Sequence, residues 1–126
     1  MNIQEALDLA DSMKPNMMPR TVKIGFLEEL DQKIYKEILL THAHTAEEEV
    51  LPEYDADTAE GTELLVPDPY ARQMYMYYLM SNIDMLNQET DKYNHDRALF
   101  ETAYAEMQDW WNRTRMPVRR HRQIWI

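Results

Sequence analysis

Two glycines, Gly25 and Gly61, in 126 residues leave this chain few ways to turn tightly. Tight hairpins draw on glycine for positive φ, so an all-β fold with many short turns is disfavoured and helix becomes the default. The same scarcity excludes a Walker loop and a dinucleotide-binding fingerprint, each of which needs several glycines for close backbone approach to phosphate. The chain has no cysteine, which removes disulfide frameworks, thiolate zinc sites and cysteine nucleophiles together. At this length, with 44% hydrophobic residues, one domain with a modest core is expected.

The apolar spacing predicts about four helices. Asn2 is placed to cap a first helix with Ile3, Ala6, Leu7, Ala10 and Met13 on one face, Glu5 completing a capping interaction and Pro15 closing it by residue 14. A second face, Val22, Phe26, Leu27, Leu30, Ile34, Ile38 and Leu39, predicts a helix to about Leu40, with charge on its opposite side. Gly25 inside it is costly unless it lies near the first turn or allows close packing. Asp68 and Pro69 read as an acidic cap and first helical residue of a third helix. Tyr70, Met74, Tyr77, Tyr78, Met80, Ile83 and Leu86 then put apolar bulk around much of its circumference, which predicts a central element. Thr90 and Asp91 are cap candidates for a fourth helix, ended by Pro117, with a single kinked helix as the alternative.

The expected fold is therefore all-α, a small bundle of about four helices with a long acidic loop, about residues 43–67, between the second and third. Residues 1–116 read as one helical domain and 117–126 as a basic C-terminal tail. At about 3.3 Å per residue a loop of roughly 27 residues reaches some 90 Å when extended, enough to lie across a neighbouring molecule. Within it Leu64, Leu65 and Val66, an apolar run between acidic stretch and proline, read as a short extended segment that docks somewhere.

Charge is zoned. The net charge is −10, yet residues 113–126 hold five arginines and no acid, so the tail carries +5 and the body −15. Residues 47–63 carry eight acids and no base. No run approaches the length of a membrane span, and the early Glu5 and Asp8 are unlike a signal peptide, so a soluble, unprocessed protein with no membrane contact is expected.

Few residues suggest chemistry. His42 and His44 near Glu47, Glu48 and Glu49 form the most metal-like cluster, but residues two apart diverge on a helix and neither HExxH nor ExxH occurs. His95 beside Asp96 suggests a base with its orienting acid, again on diverging positions and without a nucleophile. The acidic run lacks the alternating ligands of an EF-hand loop, leaving a solvated charge run or a surface for a basic partner. The tail, with Arg115, Arg119, Arg120, Arg122 and Trp125, suits protein docking, contact with DNA backbone or a disordered end. Tyr75 or Met76, if outward, would mark an interface. No enzyme, cofactor or metal is expected. An acidic flank and a basic tail suit head-to-tail self-association, which closes a ring when the rotation closes.

The string ELLVPDPYARQMYMYYLMSNIDMLNQETDKYNHDRALFETAYAEMQDWWNRTRMP, from Glu63 to Pro117, with NIQEALDLAD and FLEELDQKIYKEIL, resembles small proteins of the head genes of tailed bacteriophages and prophages, in the class of head-tail connector or head-completion adaptors. That resemblance implies a helical virion subunit, without catalytic residues or cofactors, that assembles as a ring between portal protein and tail-side adaptor. It implies location at the virion neck, and in the host cytoplasm during assembly, with possible contact to exiting DNA. Candidate interface residues are Glu47, Glu48, Glu49, Leu64, Leu65, Val66, Tyr75, Arg115, Arg119, Arg120, Arg122 and Trp125. The alternative is a small acidic binding or regulatory module of the DNA-mimic type.

Overall fold

A computed structural model describes residues 1–118, which form an all-α bundle. Among the described residues there are four α-helices and no strand beyond two isolated bridges: α1 (Ile3–Met13), α2 (Arg20–Ile34), α3 (Tyr70–Leu86) and α4 (Thr90–Thr114). Asn2 caps α1 as its type predicts. Its side chain accepts from the Glu5 amide at 2.8 Å, and Glu5 accepts from the Asn2 amide at 3.0 Å. Beyond α2 the backbone widens into a π-type turn, Tyr35–Leu39, whose i→i+5 geometry is seen in the Leu40 amide donating to the Tyr35 carbonyl at 3.0 Å.

The third helix is central, as its apolar circumference predicts. It packs on α1, α2 and α4. Met74, Tyr75, Leu79 and Ile83 are fully enclosed, and the first three share one core with Ile3, Leu7, Ile24, Leu27, Ile34, Phe100, Met107 and Trp111. Aromatic rings extend along the α3–α4 seam: Tyr78 meets Phe100 at 5.1 Å and Phe100 meets Tyr104 at 5.6 Å. The two helices are separate, broken where Gln88 takes a φ of 59° and Glu89 donates to the Asp84 carbonyl.

Some local expectations are corrected. Asp68 makes no cap, because α3 opens at Tyr70 after Pro69 and no side chain bonds its first turn. The same holds at α4, where neither Thr90 nor Asp91 caps. Val22, Met13 and Leu86, expected inside, lie at or near helix ends and are exposed. Gly25 has open space where a Cβ would be, so close packing is not its reason. Among the described residues no helix is long and apolar enough to cross a membrane.

Candidate functional site

The acidic loop does not extend away from the bundle. One carboxylate on α2 gathers it. Asp31, fully enclosed, accepts the Tyr54 hydroxyl at 2.6 Å, the Leu65 amide at 3.0 Å and the Tyr75 hydroxyl from α3. Tyr75 in turn accepts from the Val66 amide at 3.0 Å. Burial raises Asp31 above the ordinary carboxylate value, opposed by its three donors. Each tyrosine is pushed well above its usual value by burial and by the Asp31 charge, so both stay hydroxyl donors. Further ties surround this node. Gln32 donates to the Pro52 carbonyl and the Tyr54 amide to Glu28, both at 2.8 Å. Residues 60–64 run antiparallel to the start of the chain, the Ile3 amide donating to Thr62 and the Leu64 amide to Met1, both at 3.0 Å.

This arrangement corrects four interface assignments. Tyr75 is wholly buried, because its hydroxyl is needed inside by Asp31 and Val66, and Met76 is buried as well. Leu64 and Val66 dock on their own bundle and are enclosed, with Leu65 half-buried against the same core. A strap reaching over a neighbour is replaced by a strap over the chain itself.

The acids of the loop point outward. Glu47, Glu49, Glu53, Asp55, Asp57, Glu60 and Glu63 are exposed, and Glu48 is half-buried. Glu48 is held by a short capping box, accepting from the Thr45 amide at 2.9 Å, and by Arg115 at 2.8 Å. The Thr45 amide, then Arg115, lower its pKa against the effect of burial. Arg115 lies over the Trp111 ring at 4.9 Å, so the first arginine assigned to an interface is fixed to the bundle. The chain then pairs with residues 41–43, just past the π-type turn: the Ala43 amide donates to the Met116 carbonyl and the Val118 amide to the Thr41 carbonyl, both at 2.7 Å. Arg119, Arg120, Arg122 and Trp125 lie outside the described residues.

The histidines diverge. His42 turns inward, its Nδ1 donating to the Ile38 carbonyl at 2.7 Å and its Nε2 meeting the Asn112 side-chain oxygen Oδ1 at 2.6 Å. His44 turns outward, with one ring nitrogen on the His42 carbonyl and the other on Glu49, both at 2.7 Å. Among the described residues, no three histidine or acidic side chains converge as a metal-holding group. His95 is exposed whereas Asp96 is buried, so that pair separates too.

Two acceptors on one imidazole favour its charged form. The His42 carbonyl first, then Glu49, raise the His44 pKa above 6.5. A raised folded value gives a contribution complete below 6.5 and lost as pH rises through the folded value. A proton NMR titration should therefore place His44 above the free imidazole, and Glu49→Gln should lower it. A midpoint at or below 6.5 in the full chain contradicts this geometry.

A second polar cluster escaped the sequence reading. Lys14, just past α1, binds Asp84 on α3 and, at 2.9 Å, Asp96 on α4. Asp84 is wholly enclosed and Asp96 nearly so. Burial first and Asp96 second hold Asp84 above the ordinary carboxylate value, while the two carboxylates overcome burial to raise Lys14. Nothing local marks these three residues, which lie 70 and 82 positions apart. Compared with models of protein families, with curated proteins and with solved structures, the chain matches none.

Proposed function

We propose that this chain is a structural interaction protein of the head-tail connector class, a subunit joining portal protein to a tail-side adaptor in the neck of a tailed phage. The observation that supports it best is the placement of opposite charge. Val118, the last described residue, donates to the Thr41 carbonyl, six positions before the segment that carries eight acids, and three further arginines follow it in the sequence. A subunit with exposed acids concentrated in one loop and arginines concentrated at the end of the sequence suits a heterologous contact repeated by rotation, which closes a ring. On this reading no reaction is involved. Acidic surface lining a channel repels exiting DNA, leaving the tail alone to touch it. The protein then resides in the virion neck and, before assembly, in the host cytoplasm.

One observation favours a second reading, an acidic module that occupies a phosphate-binding groove. Seven of the loop's acids are exposed, four of them between Tyr54 and Leu65, the two points at which the loop is pinned to Asp31. Sedimentation velocity separates the two. The full chain, alone or with a portal protein of the same phage, is expected to form ring-sized species at about 50 mM salt that dissolve near 500 mM, and deletion of residues 119–126 is expected to abolish them. Monomers under every condition, together with competition against DNA for a DNA-binding protein, overturn the connector reading in favour of the second.

A further inference from the structure

A cleft of about 520 Å³ opens between α2, α3 and α4 on a face that neither the acidic loop nor Val118 reaches. Arg97 lines it. In a chain with ten more acids than bases, this guanidinium forms no salt bridge among the described residues. It is held instead by aromatic faces, 5.3 Å from the Tyr78 and Tyr93 rings and 5.4 Å from Phe100. Aromatic faces fix a guanidinium in place without neutralising it or using its N–H donors.

Three buried donors in this cleft, the Arg97 Nε, the Asn82 Nδ2 and the Tyr104 hydroxyl, have no well-formed hydrogen-bond partner among the described residues, although the Asn82 side chain also faces the Tyr78 hydroxyl. Asn82 is 4% and Tyr104 8% exposed. Among the described residues, the one hydrogen bond Arg97 makes to a side-chain oxygen is long, Nη2 to Asn82 Oδ1 at 3.5 Å. Burial, then Glu37 and Glu101, push Tyr104 up to about 12, so its hydroxyl remains a donor throughout the physiological range. Lys33 lies over the Tyr104 ring at 5.6 Å and adds a second cation at the rim. Buried donors without acceptors are uncommon in folded chains and point to a missing acceptor.

We infer that the cleft binds a carboxylate, with Arg97 as its ion partner and Asn82 and Tyr104 as directional donors. A planar monoanion fits better than a phosphate. Guanidinium offers a carboxylate two parallel N–H bonds, whereas Glu29 and Glu101, which also face the cleft, oppose a second negative charge. The walls of Leu30, Phe100 and Tyr78 accept an apolar or aromatic body behind the charged group. The carboxylate comes either from a free acid or from an acidic side chain of another protein. The inference stands apart from the connector reading, since it uses neither the tail nor the acidic loop.

The test is an NMR titration of the full-length chain with benzoate, with the acetylated and amidated tripeptide Glu-Glu-Glu, and with benzamide as the neutral isostere of the first. Saturable shifts at the Asn82 side-chain amide and the Arg97 Nε–H are expected with at least one of the two acids and not with benzamide. Benzoate alone identifies a free-acid site; the tripeptide alone or more tightly identifies a protein-borne carboxylate. Arg97→Gln should weaken binding by about tenfold or more and Tyr104→Phe by about threefold. Tyr104→Phe removes one oxygen and leaves the packing in place, so it reads the site even where the arginine variant unfolds. No saturable shift up to about 20 mM, equal binding of benzamide, or unchanged affinity in a folded Tyr104→Phe chain overturns the inference.

Discussion

Asp31→Ala is expected to lower the unfolding free energy by about 3 kcal/mol or more, moving the thermal midpoint down by roughly 10–15 °C. The change leaves two tyrosine hydroxyls and the Leu65 amide without their acceptor in a space closed to water. The donors left behind carry the loss, so removing them as well should recover part of it. Asp31→Ala with Tyr54→Phe and Tyr75→Phe is expected to be more stable than Asp31→Ala alone. The pH dependence adds a second check. Because burial raises Asp31 in the folded chain, the folded state holds more protons than the unfolded state between 3.8 and that raised value. Stability contributed by this group therefore falls as pH rises through that window, and the alanine variant should lose that slope. Urea unfolding at several pH values measures both effects. A midpoint shifted by less than about 0.5 kcal/mol would show that the node is dispensable.

Lys14→Met is expected to cost about 3–5 kcal/mol at neutral pH, because it leaves Asp84 and Asp96 buried side by side without a cation. Asp84 is already held high by burial and by Asp96, and one of its oxygens has no partner. Without the lysine, the pair should take up a proton on folding at pH values where the parent chain does not. The destabilisation should therefore shrink as pH falls and grow as it rises, opposite to ordinary acid unfolding. The contribution of Lys14 itself is unaffected over this range, since its raised value lies above 10.5. Adding Asp84→Asn and Asp96→Asn to Lys14→Met should restore much of the loss at neutral pH. An equal cost at about pH 4.5 and pH 7.5 would remove the paired carboxylates from the explanation.

The helices were legible because their signals are local. Asn2 and Glu5 are three residues apart and form their box; Pro15 follows the end of α1; and the apolar circumference of residues 70–86 marks the helix that the others enclose. Asp31 was not legible. It lies on a helix whose non-core face is charged, and its partners come 23, 34 and 44 positions later, so no window of sequence contains the node. Tyr75, a candidate for an interface if it faced outward, was not placed for the same reason: the buried carboxylate that accepts its hydroxyl lies 44 positions away. Arg97 stands among aromatic residues at helical spacing, which reads as core in sequence. Only the assembled seam shows its charge unmatched.

Tyr54 and Leu65 end on the same oxygen of Asp31, so residues 55–64 begin and finish within the span of one side chain. A partner that meets the carboxylates on this stretch meets a shape already set in the free protein. Little ordering entropy remains to be lost on contact, and selectivity for a basic surface of matching curvature follows from rigidity as much as from charge.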